Sequence, residues 1–134
     1  MKRILVRVLT LVLFIALTGC GDGKGTVQGT VTLDGRPVAD GAITFVKTDG
    51  ELVREGAVIR DSKFQARVPP GKYKIEVNAQ KVVGKTKERG KDGVLEEVDM
   101  TEELFPERYN TKTELTEEIK SGRNTMNLDL QSEK

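Results

Sequence analysis

Hydrophobic and polar positions alternate with a period of two over most of the chain after residue 25. From Thr26 to Leu33, valine, glycine or leucine occupies every second position, with threonine or glutamine between them. Such alternation is typical of a β-strand with one buried face, because successive side chains point to opposite faces. Further extended stretches bring the predicted total to about seven strands: 42–47, 56–60, 63–68, 72–78, 115–119 and 124–130.

Turn signals separate these predicted strands. Glycine accepts positive φ without a steric penalty, and aspartate and serine are also favoured in turns. We therefore predict turns at Asp34-Gly35, Asp40-Gly41, Asp61-Ser62 and Ser121-Gly122, and a sharp break at Pro69-Pro70-Gly71. Short strands at this spacing predict an all-β fold, a single antiparallel, Ig-like β-sandwich over residues 26–130 with a polar tail at 131–134.

The alternation also predicts which side chains face the core. Ile43 and Phe45 share one face of the second strand, and Phe64, Ala66 and Val68 share one face of the fourth. The clearest strand is 72–78, in which Tyr73, Ile75 and Val77 face inward. Because Tyr73 follows Pro-Pro-Gly, we predict a tyrosine corner, with a buried ring and a hydroxyl bonded to nearby backbone.

Residues 81–110 do not follow the strand pattern. Lysine and arginine dominate their first half, and glutamate and aspartate dominate residues 96–103. We predict one long charged loop, with a helical turn at Glu102–Phe105 that Thr101 caps and Pro106 ends. Leu104, Phe105 and Tyr109 would pin its end to the core. The loop supplies a candidate partner surface, made of Lys85, Lys87, Arg89, Lys91, Glu96 and Glu97.

Other interpretations of the charged loop are open. Its basic half could contact anionic lipid headgroups, and its carboxylates could act as general acids or bases. A solvated loop is the simpler interpretation of both halves, because paired carboxylates need burial to shift their pKa values.

The first twenty residues predict an export signal. Lys2, Arg3 and Arg7 precede an apolar run from Val8 to Leu17, and Leu-Thr-Gly-Cys follows, ending at Cys20. A basic start, a short apolar stretch and a small-residue cleavage site are typical of a secretory signal. A membrane-spanning helix is the weaker alternative, since a span needs about 20 apolar residues.

The Leu-Thr-Gly-Cys ending resembles the bacterial lipobox. The resemblance implies a cleaved signal peptide at residues 1–19, acylation of Cys20 and a lipidated tether at residues 20–25. Cys20 is the only cysteine, so it has no partner for a disulfide within the chain. Asp directly after the lipidated cysteine retains some lipoproteins in the inner membrane, and this chain has Gly21 there. We therefore expect an exported, periplasm-facing protein, with the outer membrane favoured over the inner.

The composition excludes several classes of chemistry. The chain has no histidine, which excludes Ser-His-Asp and Cys-His catalysis and zinc sites built on imidazole. Loss of residues 1–19 removes three of the 22 basic residues and none of the 21 acidic ones, and the near-neutral balance does not suggest nucleic-acid binding. The Asp-Gly aspartates could offer oxygens to Ca²⁺, but turn chemistry explains them more simply: Asp34, Asp40, Asp49 and Asp92.

Several motifs together resemble a known domain family. Val27 to Phe45 contains V-x-G-x-V-T-L-D-G-x-P-V-x-D-G-x-I-T-F, and D-S-K-F, P-P-G-K-Y-K-I and Pro106-Glu107-Arg108-Tyr109-Asn110 follow in order. Their order resembles the carboxypeptidase regulatory-like, or transthyretin-like, β-sandwich domain found in small planctomycete-type bacterial lipoproteins. The resemblance covers roughly residues 26–130 and implies a fold rather than an activity. The catalytic histidines of the related hydroxyisourate hydrolases have no counterpart here.

These observations lead to two functional hypotheses. The first is a non-enzymatic, membrane-anchored lipoprotein without a cofactor or metal, which binds an envelope protein or helps assemble the envelope. The alternative is a β-sandwich that carries a small molecule or a carbohydrate. An enzyme is the least favoured class, because the usual nucleophile and acid–base sets are missing.

Overall fold

The computed structural model describes residues 21–132. The predicted signal peptide at 1–19, Cys20 and residues 133–134 lie outside the described residues. Described residues form eleven β segments, one 3₁₀ turn and no α-helix. The segments are β1 Gly25–Leu33, β2 Arg36–Pro37, β3 Asp40–Lys47, β4 Arg54–Arg60, β5 Lys63–Val68, β6 Gly71–Asn78, β7 Gln80–Arg89, β8 Leu95–Glu103, β9 Thr116–Ile119, β10 Gly122–Thr125 and β11 Leu128–Leu130, with the 3₁₀ turn at Glu107–Tyr109.

Nine of the segments form one curled sheet. Its strand order is β10-β1-β5-β4-β3-β6-β9, and β2 and β11 also pair with β1. A single residue pair, Arg60 with Lys63, joins β4 to β5. The sheet curls so that strands on both sides of this join bury side chains in one core. The prediction of an all-β fold is therefore confirmed.

The core contains the side chains that the alternation placed inside. Ile43, Phe45, Tyr73, Ile75 and Val77 are fully buried. The rings of Phe45 and Phe64 lie 6.4 Å apart and connect the two sides of the curled sheet. Burying apolar side chains of this size contributes roughly 1.5–3 kcal/mol each, so the alternating faces account for the main stabilisation of the fold.

Two predicted tight turns have the expected backbone. Asp34 and Gly35 have φ of 51° and 75°, and Asp61 and Ser62 have φ of 48° and 62°. Positive φ at both central residues is typical of a type I′ turn, which matches the twist of the strands it joins. The prediction of a turn at Asp40-Gly41 was wrong, because both residues lie at the start of β3. A Cβ at Gly41 would lie 2.6 Å from the carbonyl oxygen of Asn78, so this glycine permits a close strand contact.

The closing strands differ from the antiparallel prediction. β10 and β11 both run parallel to β1, because the turn after β9 releases the chain at the end of the sheet where β1 begins. The predicted strand at 124–130 is also split. Gly29 of β1 admits the backbone of Met126 so closely that a Cβ there would lie 1.6 Å from its carbonyl oxygen. The Asn127 side chain then accepts the Thr30 N–H at 3.2 Å, in place of a ladder bond.

The prediction of a long charged loop was also wrong, since most of residues 81–110 lie in strands. β7 and β8 form a separate antiparallel hairpin, and we call residues 80–103 the hairpin arm. The predicted helical turn at Glu102–Phe105 is absent from this part of the described chain, where β8 continues to Glu103. The 3₁₀ turn lies just beyond, directly after Pro106. With the arm, β2 and the split closing strand, eleven segments replace the predicted seven or so.

Candidate functional site

The hairpin arm has a well-defined tip. The Gly90 N–H donates to the Val94 carbonyl at 2.8 Å, and the Gly93 N–H donates back to the Gly90 carbonyl at 2.9 Å. Gly93 has φ of 82°, as the left-handed residue of a three-residue hairpin loop requires. The Arg89 guanidinium donates to the Gly93 carbonyl at 3.0 Å. The sequence signal for this turn was Asp92-Gly93.

The arm extends away from the curled sheet. β7 and β8 pair along nearly their whole length and make few contacts with the other strands. Within the two strands only Gly84 and Val98 are half-buried, and the other residues are exposed. No residue of the arm belongs to the buried core cluster of the described chain. The arm therefore presents both faces and both edges to solvent.

The strand register divides the side chains of the arm between two faces. Directly paired residues share a face, so Lys85 with Asp99 and Lys87 with Glu97 lie on what we call the charged face. On this face the Lys85 ammonium is 3.8 Å from the Glu97 carboxylate. The other face carries the pairs Gly84 with Met100 and Thr86 with Val98, and we call it the apolar face.

Charges border the apolar face at both ends. Lys81 and Glu102 form an ion pair of 3.9 Å near the base of the arm. Glu88 and Glu96 are direct cross-strand partners near the tip, where two like charges repel each other. A cation from a partner would relieve this repulsion.

The six predicted partner-surface residues do not share one surface. Lys85, Lys87, Arg89 and Glu97 lie on the charged face, Lys91 lies in the tip turn, and Glu96 lies on the apolar face. Sequence reasoning missed Val98 and Met100, because a hairpin that does not cover a core has no regular apolar alternation. The strand assignment was the missing information, since residues two apart in one strand share a face. The register then sets Thr86 and Gly84 opposite Val98 and Met100.

The arm is anchored at its base. One Glu103 carboxylate oxygen accepts the Ala79 N–H at 2.9 Å and the Phe105 N–H at 3.3 Å. The Leu104 N–H donates to the Ala79 carbonyl at 2.7 Å. Phe105 is buried and meets the Tyr109 ring edge to face, with centroids 6.4 Å apart. As predicted, Leu104, Phe105 and Tyr109 contact the core.

The Pro106–Asn110 motif holds the chain that follows the arm. Asn110 is buried and donates through its amide to the Phe105 carbonyl at 3.3 Å. The Tyr109 hydroxyl accepts the Gln131 N–H at 3.1 Å, and the Arg108 guanidinium lies 4.8 Å from the Tyr109 ring centroid. Burial acts to raise the pKa of Tyr109, but the bond from Gln131 and the Arg108 cation outweigh it and lower that pKa. The motif therefore has a structural role, because its contacts fix the chain segment that follows the arm.

The start of the described chain is fastened to the sheet. The Asp22 carboxylate is 2.6 Å from the Arg67 guanidinium of β5, and Lys24 lies 3.6 Å from Glu55. Residues 21–24 are exposed and belong to the predicted tether. Cys20 lies just outside the described residues, so an anchor there would hold this end of the sheet near a membrane.

Three of the four aspartates considered as Ca²⁺ ligands bond to protein N–H groups. Asp34 accepts from the Ser132 backbone at 2.9 Å and from its hydroxyl at 2.5 Å. These two bonds lower the pKa of Asp34. Asp49 accepts the Lys72 N–H at 3.1 Å and Asp92 accepts the Val94 N–H at 3.0 Å. Residues 21–132 contain no cluster of three carboxylate or cysteine side chains able to hold a metal.

Comparisons with known proteins add little. No protein-family model and no curated protein matches the chain. Among solved structures, the chain is similar to a 9R-lipoxygenase from Cyanothece PCC8801, with 10% sequence identity and a TM-score of 0.39. The match covers 82% of this chain and 16% of that one. A likeness at this level supports no inference about function. Within residues 21–132, no helix is long and apolar enough to cross a membrane.

Proposed function

We propose that this protein is a non-enzymatic lipoprotein, anchored through Cys20 to a bacterial membrane, whose hairpin arm captures a partner protein of the cell envelope. The curled sheet serves as a scaffold of the carboxypeptidase regulatory-like sandwich type. The lipobox motif supports the anchor, and the apolar face of the arm supports the capture of a partner.

The observation that carries the proposal is the concentration of exposed apolar side chains on the arm. Of the seven large hydrophobic residues exposed in the described chain, five lie in the arm: Val82, Val83, Val94, Leu95 and Met100. Met100 lies on the apolar face beside the half-buried Val98, whereas Leu95 pairs with Arg89 on the charged face. Exposed apolar side chains concentrated in one element mark that element as a candidate interaction site. An isolated two-stranded hairpin is also only marginally stable in water, so a partner that covers one face would stabilise the arm.

The charges of the apolar face define the chemistry of the partner. An apolar surface on the partner would cover Val98 and Met100, and a lysine or arginine of the partner would pair with Glu88 and Glu96 near the tip. The charged face is internally paired through Lys85 and Glu97, and therefore has less to gain from a partner. We assign recognition to the apolar face.

The chain topology supports this arrangement. β1 starts at Gly25, which pairs with Val68 and Gly122, so these residues mark the end of the sheet nearest the lipid anchor. β6 starts at the same end and runs away from it to Asn78, directly before the arm. The arm therefore leaves the scaffold from the end opposite the anchor, where it would reach into the periplasm.

Shortening the arm tests the proposal. Gly84 and Met100 are direct partners, so replacing residues 85–99 with a two-residue Asn-Gly turn closes the hairpin directly at this pair. We expect the melting temperature to stay nearly unchanged, because the arm contains no core residue. In-cell crosslinking with mass spectrometry should show the loss of a specific partner that the unaltered protein captures.

Matched point variants identify the face. Val98→Asp with Met100→Asp places charge on the apolar face and should abolish capture. Lys85→Gln with Lys87→Gln alters the charged face and should leave capture intact. Capture that survives the shortened arm would refute the proposal, and capture lost only with the lysine variant would move recognition to the charged face.

A further inference from the structure

A cleft opens on the outer side of the curled sheet where β4 and β5 separate. Arg60 with Lys63 is the single residue pair that joins these strands, so they diverge from the Asp61-Ser62 turn. The cleft has a volume of about 580 Å³, within the roughly 300–1,000 Å³ of small-molecule sites. It is separate from the hairpin arm.

The two cations of the cleft are unpaired in the described chain. Arg60 and Lys63 are direct cross-strand neighbours, a like-charge arrangement that is destabilising. Neither forms an ion pair within residues 21–132, although Asp40 is the β3 neighbour of Arg60. In contrast, Arg54 on β4 pairs with Glu76 at 2.5 Å, and Arg67 on β5 pairs with Asp22 at 2.6 Å.

The rest of the lining is neutral and rich in hydrogen-bonding groups. Among residues 21–132 no carboxylate lines the cleft, whose neutral polar side chains are Gln28, Thr30, Gln65, Thr125 and Asn127. The Asn127 carbonyl oxygen accepts from both the Thr30 N–H and the Thr30 hydroxyl, at 3.2 and 3.1 Å. Its amide N–H₂ makes no bond within the described chain, so it is free to donate to a ligand.

An apolar side chain lies beside these groups. Val58 of β4 is 60% exposed and lines the cleft, and Phe64 contributes to its floor. Ring hydroxyls need amide and hydroxyl partners, while the C–H face of a sugar ring packs on an apolar side chain. A carboxylate on the sugar would add charge-assisted bonds to the two cations.

We infer that this cleft is a binding site for an acidic saccharide, with Arg60 and Lys63 holding its carboxylate and the neighbouring amides binding its ring hydroxyls. The site would give the protein a second interaction, independent of the arm. Overall charge does not account for such binding, because the residues after the predicted signal peptide carry slightly more acidic than basic groups.

Calorimetry on the full-length protein in nonionic detergent tests the inference. The probes are a short polygalacturonate, a neutral maltooligosaccharide of equal length, and inorganic phosphate. We expect the polygalacturonate to bind, and Arg60→Gln or Lys63→Gln each to weaken it by about tenfold. Arg54→Gln removes the same charge from the same strand as Arg60 and should leave the affinity unchanged. Melting temperatures confirm that each variant is folded.

Each other outcome overturns the inference. If the neutral oligosaccharide binds as tightly as the polygalacturonate, the two cations have no role in recognition. If Arg54→Gln weakens polygalacturonate binding as much as Arg60→Gln does, the ligand is attracted by overall charge and not by this cleft. Phosphate binding as tight as that of the polygalacturonate would indicate a simple anion site. If no polygalacturonate binding is detected, the cleft is not a site for an acidic saccharide.

Discussion

At the scale of single residues, Tyr73 shows how one side chain combines burial with a specific bond. The ring is fully buried against Phe45, edge to face, with centroids 6.4 Å apart. The hydroxyl donates to the Pro69 carbonyl at 2.8 Å, so the predicted tyrosine corner is confirmed. Burial raises the pKa of Tyr73 above 10.0, with smaller contributions from Asp49 and Glu55.

Replacing Tyr73 with phenylalanine should lower the free energy of unfolding by about 1 kcal/mol at neutral pH, because one buried hydrogen bond is lost. The pKa of Tyr73 is higher in the folded than in the unfolded state. As pH rises above 10.0, the unfolded state therefore loses its proton first, and stability falls. Urea denaturation at neutral and alkaline pH should show a smaller alkaline loss for the variant. If both proteins lose the same stability at alkaline pH, the loss belongs to titratable groups other than Tyr73.

At the scale of elements, the arm and the curled sheet are stabilised differently. Most strands of the sheet bury one face in a common core, whereas the arm depends on its ladder, its tip turn and its anchored base. Glu103 connects the two, since its carboxylate holds the backbone N–H groups of Ala79 and Phe105. The neighbouring Glu102 is exposed and forms a 3.9 Å ion pair with Lys81.

Glu103→Ala should lower the free energy of unfolding by about 1.5–3 kcal/mol, because two backbone N–H groups lose a charged acceptor. Amide hydrogen exchange at Ala79 and Phe105 should quicken. Glu102→Ala is the matched control and should cost at most about 1 kcal/mol, as exposed ion pairs do. Equal effects of the two substitutions would contradict the assigned role of Glu103.

At the scale of the whole molecule, our proposal gives the two ends of the sheet different roles. The end that carries Gly25 follows the predicted lipid anchor and is fastened through Asp22 and Arg67. The opposite end leads into the arm. The acidic-saccharide cleft lies on the outer side of the sheet, so anchor, arm and cleft occupy separate regions.

Cys20→Ala should release the protein from the membrane, because the anchor depends on acylation of this thiol. Detergent-phase partitioning measures the release, with the unaltered protein as reference. The arm residues are unchanged in this variant, so its purified form should still bind the partner. Continued membrane partitioning would mean that the signal segment is kept as a membrane helix.

The sequence alone was sufficient to predict the strands that face a common core. Val27, Phe45, Phe64 and Tyr73 alternate with polar residues because burial of one strand face imposes a period of two. The tight turns at Asp34-Gly35 and Asp61-Ser62 were equally local, since positive φ restricts which residues can occupy them.

Only the tertiary structure decided the features that depend on strand pairing. The arm was predicted as a loop because neither of its faces meets the core, so no alternation marks β7 or β8. The parallel pairing of β10 and β11 with β1 joins residues that are distant in the chain. Strand pairing, which sequence periodicity does not encode, sets Thr86 and Gly84 opposite Val98 and Met100. It also leaves β4 and β5 joined at a single residue pair, beside the cleft.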